Sequence, residues 1–394
     1  MPTLTGSGRS TSPNTLKAAA EAVAQARRTL GGKPPQFGMV FAGPDHPLPQ
    51  LMSAAREAAG GAGLVGCTTA GEFTEEGLTH NGVAVLLVAS DDTQHLLAFS
   101  TGLKQQHERV AEELTAGFSK AHADAQSHRR LASTTVLLTD GLAGTAERSL
   151  GVLSDRTGFA QQIVGGAAGD EGRFKETSVA AGTRTGSDAV AALHVFSAKT
   201  WGVGLGHGLR PASPRMRVTR ASGNVLHQID GRPAFDIYKE HAAGRGIPIT
   251  AGDAGPYMIG NELGLFLFDH LNRARAPLGV NADGSLNLAA DVPEGASVCI
   301  LDGEPENMVA AAHEAAREAQ RRLEGGRAAG VVVFDCVCRG MILKDRFTQE
   351  IDAVRRVFGD VPVAGFLTYG EIARYGGKLD GWHNTTAVVV AIPA

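Results

Sequence analysis

Two separated stretches of this chain share one residue pattern, and that self-similarity limits its architecture more than any other feature. Gly66-Cys67-Thr68-Thr69-Ala70-Gly71-Glu72-Phe73 and Gly365-Phe366-Leu367-Thr368-Tyr369-Gly370-Glu371-Ile372 both read G-x-x-T-x-G-E-apolar. A short apolar strand precedes each, and a His-Asn pair that opens a further strand follows each, His80-Asn81 and His383-Asn384. Upstream, buried-strand runs beginning at Phe37 and Val331 each lead into an amphipathic helix, about 48–59 and 348–358. The unit is strand, helix, strand, G-E loop, strand.

A fainter copy lies between the two. It runs through a strand at 135–139, a helix at 146–157, a strand at 163–165, then Gly169-Asp170 and a strand at 189–196, with Asp in place of Glu and no His-Asn pair. Alternating strands and helices of this length predict mixed α/β layers with helices packed on largely buried sheets. Residues 200–295 break the pattern: Gly202, Gly204, Gly206 and Gly208 punctuate a strand, 216–228 reads as a hairpin, and Asp230-Gly231-Arg232-Pro233 opens a helix. The expected class is α/β, as two pseudo-repeated lobes with an irregular β-rich segment between them. Residues 1–14 read as a disordered segment, 15–222 as the first domain and 223–394 as the second.

With 37 basic and 41 acidic residues in 394 and no basic run, a nucleic-acid partner is not expected. Apolar runs such as Ala84 to Ala89 fall far short of a membrane span, and residues 1–14 lack a secretory apolar region, so the expected location is the cytoplasm, without membrane insertion. Four cysteines are too few and too uneven for a disulfide scaffold, and Cys336-x-Cys338 reads as neighbouring core positions rather than a zinc or redox pair.

The repeated loops carry the candidate chemistry. A Glu in a Gly-bounded loop after a strand can offer its carboxylate to an ammonium or guanidinium, with Thr hydroxyls completing the contacts. Thr69-x-x-Glu72 and Thr368-x-x-Glu371 equally fit a capping box at a helix start, with Gly71 and Gly370 supplying permissive backbone. The candidate ligand-binding set is therefore Cys67, Thr68, Thr69, Gly71, Glu72, His80 and Asn81 in the first copy, and Thr368, Tyr369, Gly370, Glu371, His383 and Asn384 in the last. Arg339, at the end of a buried strand, joins the set as a group that either meets an anion or stays solvated. No G-x-S-x-G elbow, P-loop, H-E-x-x-H or dinucleotide fingerprint is present, so no enzyme is expected. The alternative is a hydrolase-type enzyme using Cys67 with His80 or His383, or the carboxyls of Glu72 and Glu371.

Taken in order, Gly66-CTTAGEF, Gly208-LRP, Asp230-GRPAFDIYKEH, Phe334-DCVCRG and Gly365-FLTYGEI with His383-Asn384 resemble the paired N-terminal and C-terminal FIST domains. The resemblance spans about residues 35–394. It implies an intracellular sensor that binds a small ligand and feeds a separate histidine kinase or cyclic-dinucleotide enzyme in signal transduction, including two-component systems. The implied ligand is either haem with nitric oxide, as in stand-alone members of the family, or an amino-acid-like metabolite. Haem b would be held non-covalently, because no C-x-x-C-H occurs, and His207 between Gly206 and Gly208 is the first choice of axial ligand, ahead of His227 and His241.

Overall fold

The computed structural model describes residues 2–157, 161–267, 270–376 and 380–394; Met1 of the expected disordered segment lies outside them. Among the described residues the strands form three six-stranded sheets and one of nine strands, so the mixed α/β class holds. Each six-stranded sheet is founded on one copy of the repeat, and the faint middle copy stands level with the outer two.

The first unit runs from the strand Leu4–Ser10 through the helix Thr15–Arg28, the strand Phe37–Ala42, the helix Leu48–Ala58 and the strand Gly63–Thr68. The hairpin Glu72–Thr74/Gly77–Thr79 and the strand Val83–Ala89 complete it. The middle unit repeats this order from the edge strand Thr93–Thr101 to Ala189–Ser197, and the last unit from Gly202–Gly206 to Ala387–Pro393. In every unit two parallel strands form the centre: Phe37–Ala42 beside Gly63–Thr68, Ala132–Thr139 beside Gln162–Ala167, and Ala328–Cys336 beside Val363–Thr368. Their residues are buried on both faces, and mostly apolar, because each sheet is covered twice, by helices outside and by the other sheets inside.

No unit completes its own sheet. The first hairpin pairs with Val363–Thr368 of the last unit, the middle hairpin Val179–Ala181/Arg184–Gly186 with Gly63–Thr68 of the first, and the last hairpin Glu371–Arg374/Gly381–His383 with Gln162–Ala167 of the middle unit. The three exchanges close a ring. Inside it the sheets share one core, where Phe41 packs against Phe334 and Phe366 with ring centroids 6.4 and 4.7 Å apart, beside Val136, Val164 and Leu193.

The expected disordered start is instead a strand. Leu4–Ser10 pairs antiparallel with Val83–Ala89 along its whole length, and Asn14, which precedes the first helix, accepts a 2.9 Å bond from the Lys17 N–H on its Oδ1. Beyond Leu4 the strand lacks large apolar side chains because a helix lies directly on it: a Cβ at Gly6 or Gly8 would collide with the carbonyl oxygens of Ala26 and Ala22. The last unit uses the same device. Gly202 and Gly204 face the carbonyls of Ala319 and Ala315 on the helix Pro305–Arg321.

The irregular segment 210–302 is an insertion between the edge strand of the last unit and that helix. It forms the nine-stranded sheet, with the helices Ala234–Gly244 and Gly255–Gly260 and a core of its own around Tyr238, Leu263 and Ile300. The expected boundary at 222/223 falls in the turn between its strands Met216–Ser222 and Val225–Ile229.

Candidate functional site

Glu72 and Glu371 are fully buried, and their carboxyls act as latches inside the protein. Glu72 accepts hydrogen bonds from Thr69 Oγ1 at 2.8 Å, Thr79 Oγ1 at 2.9 Å and the Gly82 N–H at 2.7 Å. Glu371 accepts from Thr368 Oγ1 and, at 3.1 Å, from the Thr386 N–H. Each ties its loop to the start of the unit's last strand. The capping box does not form, because the residues from each Glu onward are strand, paired to the neighbouring unit. Burial pushes the Glu72 carboxyl up to about 7, against the hydrogen bonds that favour its charge, and holds Glu371 well above the usual carboxylate range.

Backbone register corrects two sequence alignments. Gly43 N–H to Gly82 O at 3.0 Å, Asp140 N–H to Ala189 O at 2.9 Å and Cys336 N–H to Thr386 O at 3.2 Å are equivalent bonds. The residue before each acceptor has positive φ: Asn81 at 52°, Asp188 at 48° and Thr385 at 54°. His80-Asn81 thus corresponds to Asn384-Thr385, and His383 sits opposite Glu371 where Thr79 sits opposite Glu72. In the middle unit Val179, facing Cys67 across the strands, takes the glutamate's place. Asp170 belongs instead to an extra loop, 168–178, that precedes the hairpin.

Other candidates also serve the interior. Cys67 is fully buried, and burial pushes its thiol up. His383, Asn384 and Thr69 are buried; Thr68, nearly so, accepts from the Ser178 N–H at 3.0 Å. Cys336 closes its strand and Cys338 lies in the helix Val337–Leu343, both packed beside Ala276. Arg339 neither meets an outside anion nor is solvated. It is fully buried, 3.0 Å from Asp335 and also paired with Glu350, and it donates to the carbonyls of His207 at 2.7 Å and Met308 at 2.9 Å. Asp335 lies in the strand and Arg339 in the helix that follows, so no helical i,i+4 pattern in the sequence announces this pair.

His207 follows the edge strand, and its Nδ1 accepts the Leu209 N–H at 3.0 Å. Burial and the adjacent Arg339 charge depress it to about 4. The glycine faces that looked able to admit a flat macrocycle are filled by the helix Pro305–Arg321, so the residues around His207 do not fit haem. His241 is engaged by Tyr257 Oη at 2.7 Å, and His227 Nδ1 lies 3.9 Å from Asp283. Among the described residues no group of three His, Cys, Asp or Glu side chains could hold a metal.

Three clefts lie at the exchange joints, beyond the carboxyl ends of the parallel strands. One cleft, about 520 Å³, lies between residues 44–49 of the first unit, the loop and first turn of the helix Leu48–Ala58, and Arg173, Lys175 and Ser187 of the middle unit. A second, about 170 Å³, lies between Asp140, Glu147 and Arg148 of the middle unit, Tyr369 and Trp382 of the last, and Asn224 and Asp291 of the inserted sheet. The third, about 590 Å³, is walled by all three units. Its apolar lining includes Leu78, Val337, Phe347 and Leu367, and its charged and polar lining includes Glu76, His80, Glu171, Lys344 and Asp345. Gly71, at φ 136°, keeps this lining open, since a Cβ there would lie 3.1 to 3.3 Å from Leu367, Leu78 and His80.

His80 is the repeated-loop side chain most open to this cleft, with its ring 59% exposed and Nδ1 2.8 Å from Glu171 Oε2. Glu171 also accepts the Asn81 N–H at 3.0 Å. Glu171 at φ 56° and Lys344 at φ 50° hold a left-handed backbone that non-glycine residues rarely adopt, so the rim carries local strain. Sequence reading missed Glu171 because it sits in the loop unique to the middle unit.

Fold and clefts together define a triplicated α/β protein with ligand-sized clefts at the joints between its repeats. The chain belongs to the FIST family: the FIST N domain matches residues 36–232 and the FIST C domain residues 234–374, and FIST domains are small-ligand-binding sensory domains of signalling proteins. An uncharacterized protein of Mycobacterium tuberculosis (strain CDC 1551 / Oshkosh) is 25% identical over 400 residues, covering 97% of each chain. A second uncharacterized protein, of Mycobacterium bovis, is 26% identical over 188 residues, 46% of this chain and 47% of its own. The solved structure of a cyanuric acid hydrolase covers 100% of both chains at 10% identity and a TM-score of 0.34, too low a likeness to bear on fold or activity. Among the described residues no helix is long and apolar enough to cross a membrane.

Proposed function

We propose that this protein is a ligand-sensing input module, not an enzyme, and that its ligand is an amino-acid-like metabolite bound in the cleft walled by all three units. The observation that carries this reading is the makeup of that cleft. Apolar walls, carboxylates at Glu76, Glu171 and Asp345, and cationic or imidazole groups at Lys344 and His80 suit a small zwitterion with an apolar side chain, its ammonium toward the acidic groups. A ligand touching three units favours whichever arrangement of them it fits best, and its differential affinity is the signal. The surface so moved is read by a separate histidine kinase or cyclic-dinucleotide enzyme in the cytoplasm. Against the hydrolase alternative stand the burial of Cys67 and the internal bonding of Glu72 and Glu371. Against haem stands the packing at His207.

Thermal denaturation of the purified protein with each common amino acid and with simple amines tests the reading. A ligand at about a hundred times its Kd adds about 2.7 kcal/mol of stability. Glu171→Gln and His80→Ala should abolish that gain. Stabilisation that survives both substitutions, a Soret band that shifts with nitric oxide, or turnover lost in Cys67→Ala would each overturn it.

A further inference from the structure

The loop 168–178, unique to the middle unit, lines two of the three clefts and holds a residue that lines the third. Glu171 and Gly172 line the three-unit cleft, and Arg173, Lys175 and Glu176 line the cleft at Pro44–Pro49. Tyr369, which lines the cleft at Trp382, is fastened to the same loop. Its hydroxyl donates to Asp170 Oδ1 at 2.5 Å and accepts the Gly172 N–H at 2.9 Å, while its ring stacks on Phe174 with centroids 4.9 Å apart.

Asp170 makes this loop one body. Almost fully buried, it accepts the N–H groups of Phe174 at 2.9 Å, Lys175 at 2.7 Å and Glu176 at 3.1 Å in addition to the Tyr369 hydroxyl. Its chain neighbour Glu171 holds His80 and the Asn81 N–H. Gly370, next to Tyr369, lies against the Trp382 indole so closely that a Cβ there would overlap the ring. A continuous set of contacts therefore runs from the His80 ring through Glu171, Asp170 and Tyr369 to Trp382.

We propose that the Asp170 loop is the coupling element of the protein: a change at the His80–Glu171 rim is transmitted through the Asp170–Tyr369 hydrogen bond to the cleft at Trp382. Asp170 and Tyr369 are positioning residues, acting through Glu171 and Gly370. The biological meaning rests on the three-unit cleft as the sensing site, but the coupling itself can be driven from within the protein. Linkage of this kind commonly changes affinity at the second site by about 5- to 150-fold.

The chain has two tryptophans, Trp382 at the far cleft and Trp201 in the shared core. Labelling with 5-fluorotryptophan gives two fluorine resonances, assigned with Trp201→Phe. His80→Ala should move the Trp382 resonance and leave that of Trp201 in place. In a Tyr369→Phe background, which keeps the ring stack and removes the hydroxyl, the displacement should vanish. Asp170→Asn is the second uncoupling variant if Tyr369→Phe fails to fold. An unmoved Trp382 signal in His80→Ala overturns the coupling, as does a displacement of the same size with and without the Tyr369 hydroxyl. Neither outcome depends on any ligand, so failure here is distinct from failure of the sensor reading.

Discussion

The first and last repeated loops share their G-E pattern and their glutamate latch, yet the turn into the unit's last strand is open to a cleft after the first and sealed after the last. His80 is 59% exposed beside Glu171, whereas His383, Asn384 and Thr385 are buried, with Thr385 Oγ1 bonded to Glu262 of the inserted segment. Equivalent backbone positions also differ beneath the loops. Three residues beyond Gly43 stands His46; three beyond Cys336 stands Arg339 with its two acids. Repetition of a motif thus marks what holds the fold, and accessibility marks what is free to bind.

The sharpest way to break this comparison is to remove the buried charge beneath the last loop. Arg339→Met leaves Asp335 and Glu350 without their cation and should cost on the order of 3–5 kcal/mol in urea denaturation. A loss under about 1 kcal/mol would mean the cluster is not what distinguishes the last unit. Next in size, Gly8→Val and Gly204→Val should each cost about 1–3 kcal/mol or more, because both press a side chain into a helix backbone. A much smaller loss at Gly8 would return the first strand to the dispensable segment it resembles in sequence.

A pH series separates latch from ligand group. The Glu72 carboxyl is raised from 4.5 to about 7, so the folded state holds its proton more tightly than the unfolded chain does. Its contribution to stability is whole below pH 4.5 and is lost as pH rises through about 7. Glu72→Gln keeps a similar shape without the charge, and should therefore be more stable than the parent above pH 8, by on the order of 2 kcal/mol. Melting curves at pH 5 and 8.5 decide it; a variant weaker at both shows that the ionised carboxylate is the stabilising form. Smallest in stability, His80→Ala and Glu171→Gln should shift folding by about 1 kcal/mol, as a pair with one partner open to solvent does, while removing ligand-induced stabilisation.

The repeat and most of its strands and helices were legible as local pattern, since hydrophobic period and loop chemistry act over a few residues. The expected irregular segment 200–295 wrongly takes in Gly202–Gly206, the edge strand of the last unit, and stops short of the insertion's final strand. The strand Leu4–Ser10 was not, because helix contact there requires glycine and polar residues in place of a large apolar face. Nor was the middle unit's hairpin, since the loop 168–178 displaces it and Val179 replaces the glutamate. Glu171 and Lys344 carry no motif; only the exchange of hairpins brings them to one rim. Partner choice between strands is a property of the whole ring, and no window along the chain encodes it.

That exchange also sets an order of events during synthesis. The strand Gln162–Ala167 leaves the ribosome long before Glu371–Arg374, the partner along its open edge, has been made. Until then the nascent middle sheet offers an unpaired backbone rim, the kind of edge that invites aggregation and chaperone binding. Pairings this distant in sequence also slow folding. The polypeptide is committed to its native form only when its closing hairpin arrives, so a truncated product is expected to be cleared as unfolded chain rather than persist as a partial sensor.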